Sequence, residues 1–449
     1  MHNLPSRLPW LATAVTILVL ASAVVRVSPI RDAATLEPVP EASLTSSPAY
    51  LAGAPLFDTL DTISLLTVGQ HIALILTAVV AYAAWRVWWR RRKAAAARAV
   101  GAVDRRAWRA ALREVAFAGL FLLLLVAVYA GNAVIPRPMA ALAVRDLNVV
   151  VVDVHSHTKY SHDGRPGWEA EDVRDWHAAS GYDVAYVTDH RNYRGAEEGV
   201  AANPSLAGQG TVLLSGLEVV YGGERVNVLS AGRVYRGLTT ANLWDIDTLA
   251  VALASLVTPR EPVIVQTIPA RLERMRPARG SGTAGVRAIE IVDGAPRGLS
   301  QTRRERERIV RLADSLNLAL IAGSNNHGWG RTAPGWTLFR IPGWRSMSPD
   351  QLAMSIESSI RDAGRNATRV VERRAAEAGR NPIRLALTVP LATWRMFTML
   401  SPDQRVMWIV WVWVLTGAWF VVRRRVGARS TVSGARDRHD VPGDPSRGR

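Results

Sequence analysis

The sequence predicts an α/β domain carried by about four transmembrane helices, and three observations predict it. Four uncharged apolar stretches long enough to cross a bilayer lie towards the two ends of the chain. Between them, short β-branched runs alternate with stretches of helical spacing, as in a parallel sheet covered by helices. The formal charge of +17 is concentrated beside the apolar stretches, where basic residues set membrane orientation. Without aromatic residues interleaved among the basic ones, this charge indicates a membrane partner and no nucleic acid. The chain has no cysteine, so disulfides and thiolate metal sites are excluded.

Taken in order, residues 1–146 form a membrane region. Its spans are expected at about 8–25, 62–85 and 115–136. Ala21-Ser-Ala23 also resembles a signal-peptide cleavage site, but an uncleaved anchor closes the topology more simply. Ser28 to Pro55, rich in Pro, Ala and Ser, reads as an exposed linker. His71 has no evident partner and is expected as a neutral packed side chain. The loop 86–114 carries ten basic residues and two acidic ones, and is expected on the cytoplasmic side. A fourth span at 406–422 leads into a basic cytoplasmic tail, 423–449, whose last twenty residues read as disordered. Residues 147–345 are then extracytoplasmic, in an integral protein of the cell or inner membrane.

Within 147–345, strands are expected at Val149–Val154, Val184–Thr188, Thr211–Leu214, Val263–Val265, Val286–Val292 and Leu318–Ala322. Glu169 to Ala179 has helical spacing, with Gly181 placed for its C-cap. His177 in that helix is expected to be solvated. In 346–405, Ser348 to Arg374 reads as an amphipathic helix and Leu385 to Leu400 as an interfacial one. The mixed charges of Arg303 to Arg308 suit a solvated helix face.

The chemistry gathers at strand ends. Val149-Val-Val-Val-Asp-Val-His-Ser-His ends in His155 and His157, which alternation places on one side of a strand. The following loop brings His162 and Asp163. Thr188-Asp-His190, Glu218 and Gly323-Ser-Asn-Asn-His327 close later strands. Neutral imidazoles with carboxylates suit divalent Zn²⁺, Mn²⁺ or iron. Asp153 is expected to orient a histidine, and Glu290 to be structural or to stand behind a ligand. Trp329 and Trp336 either wall a pocket or pack.

These motifs together resemble the PHP superfamily, named for polymerase and histidinol phosphatase domains. The resemblance rests on Asp153-Val-His-Ser-His-Thr-Lys-Tyr-Ser-His-Asp-Gly164, Thr188-Asp-His190, Gly216-Leu-Glu218 and Gly323-Ser-Asn-Asn-His327. It implies a distorted (β/α)₇ TIM-like barrel, two or three divalent ions, and hydrolysis of a phosphorylated small molecule or polymer. The residues implied as ligands are His155, His157, Asp163 (with His162 as second choice for that place), His190, Glu218, Asn325 and His327. Glu218 and Arg191 carry catalytic roles in this reading, with Asp153 and Asp189 behind the ligands. Three departures stand out: the additional His162, Ile268 where the family has a histidine, and Asn325 where it has an aspartate. They leave open an alternative, a degenerate domain that binds or senses without turnover.

Overall fold

The computed structural model describes residues 8–99, 107–221, 224–229, 262–268, 286–375 and 381–436. Arg7, residues 100–106 of the basic loop and residues 437–449 of the tail lie outside the described residues.

The chain begins with helix α1 (Leu8–Val24), strands β1 (Ile30–Asp32) and β2 (Ala42–Ser46), and helices α2 (Pro48–Ala52) and α3 (Ala54–Ser64). Two long helices follow, α4 (Val68–Ala99) and α5 (Ala107–Val134). Then come β3 (Ala140–Val144), β4 (Val149–Ser156), α6 (Ala170–Ser180), β5 (Val184–Val187) and α7 (Arg194–Ala201). The hairpin β6 (Val212–Tyr221) and β7 (Glu224–Leu229) precedes β8 (Val263–Gln266) and β9 (Val286–Asp293). The domain continues through α8 (Pro296–Leu299), α9 (Arg303–Leu316), β10 (Ala319–Gly323), β11 (Gly335–Arg340), α10 (Pro349–Ala363) and β12 (Thr368–Arg373). Helices α11 (Pro382–Ala386), α12 (Thr388–Met399) and α13 (Pro402–Arg436) close the described chain.

All six expected strands are present, yet the sheet is not all-parallel. Its order is β1-β12-β11-β4-β5-β6-β7-β8-β9-β10. The runs β4-β5-β6 and β8-β9-β10 are parallel, whereas β7 is antiparallel to both neighbours. Residues 222 and 223 alone separate β6 from β7. That is far too short for a parallel crossover, which needs a dozen or more residues. The sheet curls into a half-barrel, bringing β10 round to β4. Beyond β10 the loop pairs with the end of β4: Asn325 N donates to His155 O at 2.8 Å, and His157 N donates to Asn326 O at 3.0 Å.

Burial explains the strand sequences. Val150, Val152 and Val154 are fully buried on one face of β4, and Val151 is buried on the other. Each such side chain contributes roughly 1.5–3 kcal/mol when removed from water. Helix α10 supplies Leu352, Ile356 and Ile360 to the same apolar cluster as Val150. Helix α6 ends on Gly181 at φ +83°, where an added Cβ would meet Leu142 O at 2.3 Å.

Several expectations are corrected. Ser28 to Pro55 is no linker, because β1 pairs antiparallel with β12 and extends the main sheet, and β2 pairs with β3. Ile30 and Ala33 are buried there, and Arg31 pairs with Glu372 at 2.5 Å. The amphipathic stretch Ser348–Arg374 is helical only to Ala363. Gly364 at φ +51° ends it, and Thr368–Arg373 crosses back as β12. The sheet therefore reaches beyond 147–345. His177 is buried and bonded to Asp153 at 2.7 Å, not solvated, because its face of α6 packs against β4. Trp336 is buried with its indole donating to Ser180 O, and Trp329 is half exposed.

Among the described residues, three helices are long and apolar enough to cross a membrane: Val68–Arg92, Ala111–Val134 and Pro402–Arg423. The expected first span is a shorter apolar helix, Leu8–Val24, packed against α12 and α13. His71 has a partner that the sequence does not reveal: the Tyr129 hydroxyl of α5 lies 3.0 Å from its Nδ1.

One buried carboxylate ties the helices to the domain. Asp61 of α3 receives Arg137 at 2.6 Å, Arg373 of β12 at 2.5 Å, the Thr332 hydroxyl at 2.9 Å and the Tyr50 hydroxyl at 2.9 Å. Its burial alone would raise its pKa, but the two guanidinium groups hold it below the usual carboxylate range. Asp58 beside it accepts from Gln404 and Trp408 of α13. Asp61→Ala leaves two buried arginines uncompensated and is expected to cost about 3–5 kcal/mol. Thermal melting of the detergent-purified chain checks this; an unchanged midpoint would mean that the ion pairs contribute nothing to docking.

Candidate metal centre

The C-terminal ends of β4, β5, β6, β9 and β10 carry the polar side chains towards one place. His155 and His157 come from β4, His190 follows β5, Glu218 lies in β6, Glu290 and Asp293 in β9, and Asn325 and His327 follow β10. Close approach of β10 requires glycine: a Cβ at Gly323 would lie 2.6 Å from Glu290 Oε1 and 2.7 Å from His155 Cβ.

Glu218 is the hub. One oxygen, Oε2, lies 3.2 Å from His155 Nε2, 3.3 Å from His157 Nε2 and 3.2 Å from His190 Nδ1. Its other oxygen accepts from Arg225 at 3.2 Å. Asp163 gathers the second side, with Oδ1 3.3 Å from His190 Nε2 and 3.1 Å from His327 Nε2. The His157 and His327 rings stack with centroids 3.9 Å apart. Ligand atoms converge in the groups His157–His190–His327, His155–His157–Glu218, His162–Asp163–His190 and His155–Glu290–Asp293, each within 4.8 Å.

The donor set fits a divalent cation. Nε2 of His157 and of His327 are buried and make no hydrogen bond, although each has a carboxylate oxygen within 3.3 Å. Both nitrogens belong to one group of converging ligand atoms, with His190 as the third member. Burial holds His157 well below the usual imidazole range, moves His190 down to about 4, and lowers His327. Neutral imidazoles are the form that binds a metal. Two like-positioned cationic rings stacked at 3.9 Å would repel, which favours the same form.

His155 differs. Burial alone would lower its pKa, but Glu290 and Glu218 raise it well above the usual value. Its Nδ1 lies 2.8 Å from Glu290 Oε1, so a proton there is shared with a carboxylate that burial pushes up to about 7. A carboxylate behind a histidine fixes which nitrogen faces the ion. His157 is held the same way: Nδ1 lies 2.9 Å from Ser161 Oγ, which donates to Asp189 at 2.8 Å. Asp189 also accepts from the Thr158 amide and hydroxyl. Asp153 stands behind the site, accepting from the His155 and Ser324 amides and from His177.

Other expected residues lie differently. Asp163 meets the histidines directly, whereas His162 is largely exposed, 3.9 Å from Asp163 and with its ring tilted beside that of His190, centroids 4.7 Å apart. Asn325 takes φ +48° and donates its amide to Asp293 at 3.1 Å, leaving a buried Oδ1 without a partner. Arg191 does not line the cavity. It sits at φ +52° in the turn after β5, with its amide donating to Glu218 O. The cavity, about 510 Å³, is lined instead by Arg225 and Arg297 together with His155, Asp163, Glu218 and His327. Ile268 lines it too; its amide approaches Glu290 Oε2 at 3.3 Å. Glu290, expected to be structural or to stand behind a ligand, touches His155, and Asp293 lies in the same group of ligand atoms. Asp293 ends β9 and Glu290 lies three residues before it, and nearness to a strand end where ligands gather is the sequence signal for them. Arg225 reaches the site because β7 folds back on β6, diagonal to Glu218.

No family model matches the chain, and no curated protein does. Solved structures give distant likenesses. PsfC from Pseudomonas syringae is 18% identical, over 57% of this chain and 100% of that one, with a TM-score of 0.34. A two-domain protein from Bacteroides vulgatus, containing a predicted PHP-like metal-dependent phosphoesterase, is 15% identical over 49% of this chain and 64% of that one, with a TM-score of 0.30. The lesion-specific endonuclease PfuEndoQ from Pyrococcus furiosus is 12% identical over 47% of this chain and 56% of that one, with a TM-score of 0.35. The chain thus spans less than two thirds of the last two.

Ser161→Ala frees the His157 ring and is expected to weaken Zn²⁺ or Mn²⁺ binding roughly 10–100-fold. His162→Ala, at the exposed rim, is expected to weaken it less; equilibrium dialysis of both variants checks the order. Metal entry also requires His155 to lose the proton that its raised pKa retains. Affinity is therefore expected to rise with pH through neutrality, with about one proton released per ion at that histidine. Calorimetry in buffers of different ionisation enthalpy measures the release, and a pH-independent affinity would contradict it.

Proposed function

We propose that the chain is a membrane-anchored, metal-dependent phosphoester hydrolase of the PHP type, with its α/β domain on the extracytoplasmic side. The observation that carries this reading is the convergence of His155, His157 and His190 on one oxygen of Glu218, beside a cavity bearing two arginines. His155, His157, Glu218, His190, Asp163 and His327 would hold two divalent ions, with Asn325 Oδ1 and Asp293 at the edge of a third position. Such ions supply a bound water whose pKa falls towards neutrality.

The protein groups account for the rest. Arg225 and Arg297 place positive charge where the non-bridging oxygens of a phosphoester would lie, and planar guanidinium groups match those oxygens in pairs. Ser161, Asp189 and Glu290 keep the imidazoles in one orientation, so little reorganisation is needed during reaction. Hydrolysis adds water across the P–O bond: its hydroxyl ends on phosphorus and its proton on the departing alcohol.

The topology rests on charge and on helix direction. The basic ends of Val68–Arg92 and Pro402–Arg423 lie a full helix length from the ends that meet the domain. Basic loop and tail inside leave the domain outside.

A second reading is favoured by Ile268, an apolar residue in the cavity wall at a place where the family has a ligand. There the domain would bind a phosphorylated ligand without turnover. One assay decides between them. The detergent-purified chain, loaded with Mn²⁺ or Zn²⁺, is expected to bind metal and hydrolyse bis(p-nitrophenyl) phosphate, and His157→Ala to abolish both. Metal and phosphate binding without turnover would favour the second reading; no metal at all would sink both.

A further inference from the structure

The metal cavity does not end at the metal ligands. A second cavity, about 200 Å³, adjoins it, and the two share Gly294, Asn325 and Trp329 as lining residues. From there the second cavity runs to α3, α4 and α5, where Ile63, Leu65 and Ala133 line it beside the polar Ser64, His71, Tyr129 and Asn132. His71 and Tyr129 belong to helices long and apolar enough to span a membrane. The loop after β10, which carries His327, is fastened directly to the end of α5. Gly330 N donates to Ala133 O at 3.0 Å, and the Arg165 guanidinium donates to Val134 O at 3.3 Å. Trp329, about half exposed, stands at the junction with its indole donating to Asp163 O at 3.1 Å. Tryptophan with one polar contact and one free face suits the level of lipid headgroups.

We infer that the site takes a membrane lipid bearing a phosphate ester, its headgroup in the metal cavity and its chain in the cleft between α3, α4 and α5. This rests on the phosphoesterase reading and names its substrate class. The arrangement has a physical reason: a soluble phosphoester needs no passage from the metal ligands to apolar helices. A lipid needs one, because withdrawing its chains into water costs roughly 0.8 kcal/mol per methylene. Because the two cavities share Gly294, Asn325 and Trp329 as walls, a headgroup at Arg225 and Arg297 lies next to the cleft, where Ile63, Leu65 and Ala133 would meet the first methylenes of the chain. Hydrolysis would place the hydroxyl of water on phosphorus and its proton on the lipid alcohol, which remains in the bilayer.

The test uses the full, metal-loaded chain in phosphatidylcholine bilayers containing phosphatidic acid with a diazirine near its ester. Photolabelling is expected to concentrate at Ile63–Leu65 and Ala133–Val134. Excess unlabelled phosphatidic acid is expected to cut that labelling about tenfold, a difference near 1.4 kcal/mol, and glycerol 3-phosphate to leave most of it. Ala133→Trp fills the cleft and should remove the label; Ile63→Trp serves if that variant fails to fold. Turnover of phosphatidic acid and of bis(p-nitrophenyl) phosphate is measured in parallel. Labelling spread evenly over the apolar helices, with the soluble ester still hydrolysed, overturns the lipid inference and leaves the metal-centre reading standing. Specific cleft labelling with neither ester hydrolysed supports the lipid site and removes the hydrolase.

Discussion

The molecule depends on one buried carboxylate, Asp61, and the two arginines that converge on it. A charge this deep is tolerated only because Arg137 and Arg373 satisfy it from either side, with Thr332 and Tyr50 taking the remaining lone pairs. Those partners come from four places: the segment after α5, strand β12, the loop after β10 and helix α2. The geometry of the whole junction follows. Helix α3 cannot shift without uncovering charge, so the apolar helices are held in fixed relation to the curled sheet. The loop carrying His327 is one of the elements clamped.

Glu218 plays the corresponding role inside the site. Three imidazoles approach one of its oxygens within 3.3 Å, an arrangement that bulk water would never hold together. Burial keeps His157 and His190 neutral, whereas Glu290 and Glu218 together retain a proton on His155. The centre is thus asymmetric by construction, with lone pairs on one side and a displaceable proton on the other. Behind it, Ser161–Asp189 and Asp153–His177 convert a set of flexible rings into an oriented one.

Much of the fold and of the site is legible in the residues. The six strand runs, helix 170–180 with its terminal Gly181, and the apolar helices announce themselves because their periodicity is local. His155, His157, His190, Glu218 and His327 are visible because each stands at or near a strand end, and Asp163 because it lies in the loop that follows the first pair. What no local pattern shows depends on chain reversal. Arg225 enters only because β7 is antiparallel to β6, which moves it diagonal to Glu218. The segment around Ile30 reads as a linker, since three residues of edge strand carry no periodic signal. His177 looks solvated from its helix alone and is buried because α6 lies against Asp153.

The sequence by itself determined the chemistry: no thiolate ligands, a histidine–carboxylate set at strand ends, and apolar helices flanked by arginine. These follow from residue type and spacing, which are short-range quantities. Only the tertiary structure decided which groups share space. It put Arg225 and Arg297 in the cavity wall rather than Arg191, and brought Glu290 against His155. It also placed the metal cavity beside the mouth of α4 and α5. Such juxtapositions arise from packing between segments far apart in the chain, and no local pattern encodes a distance across them.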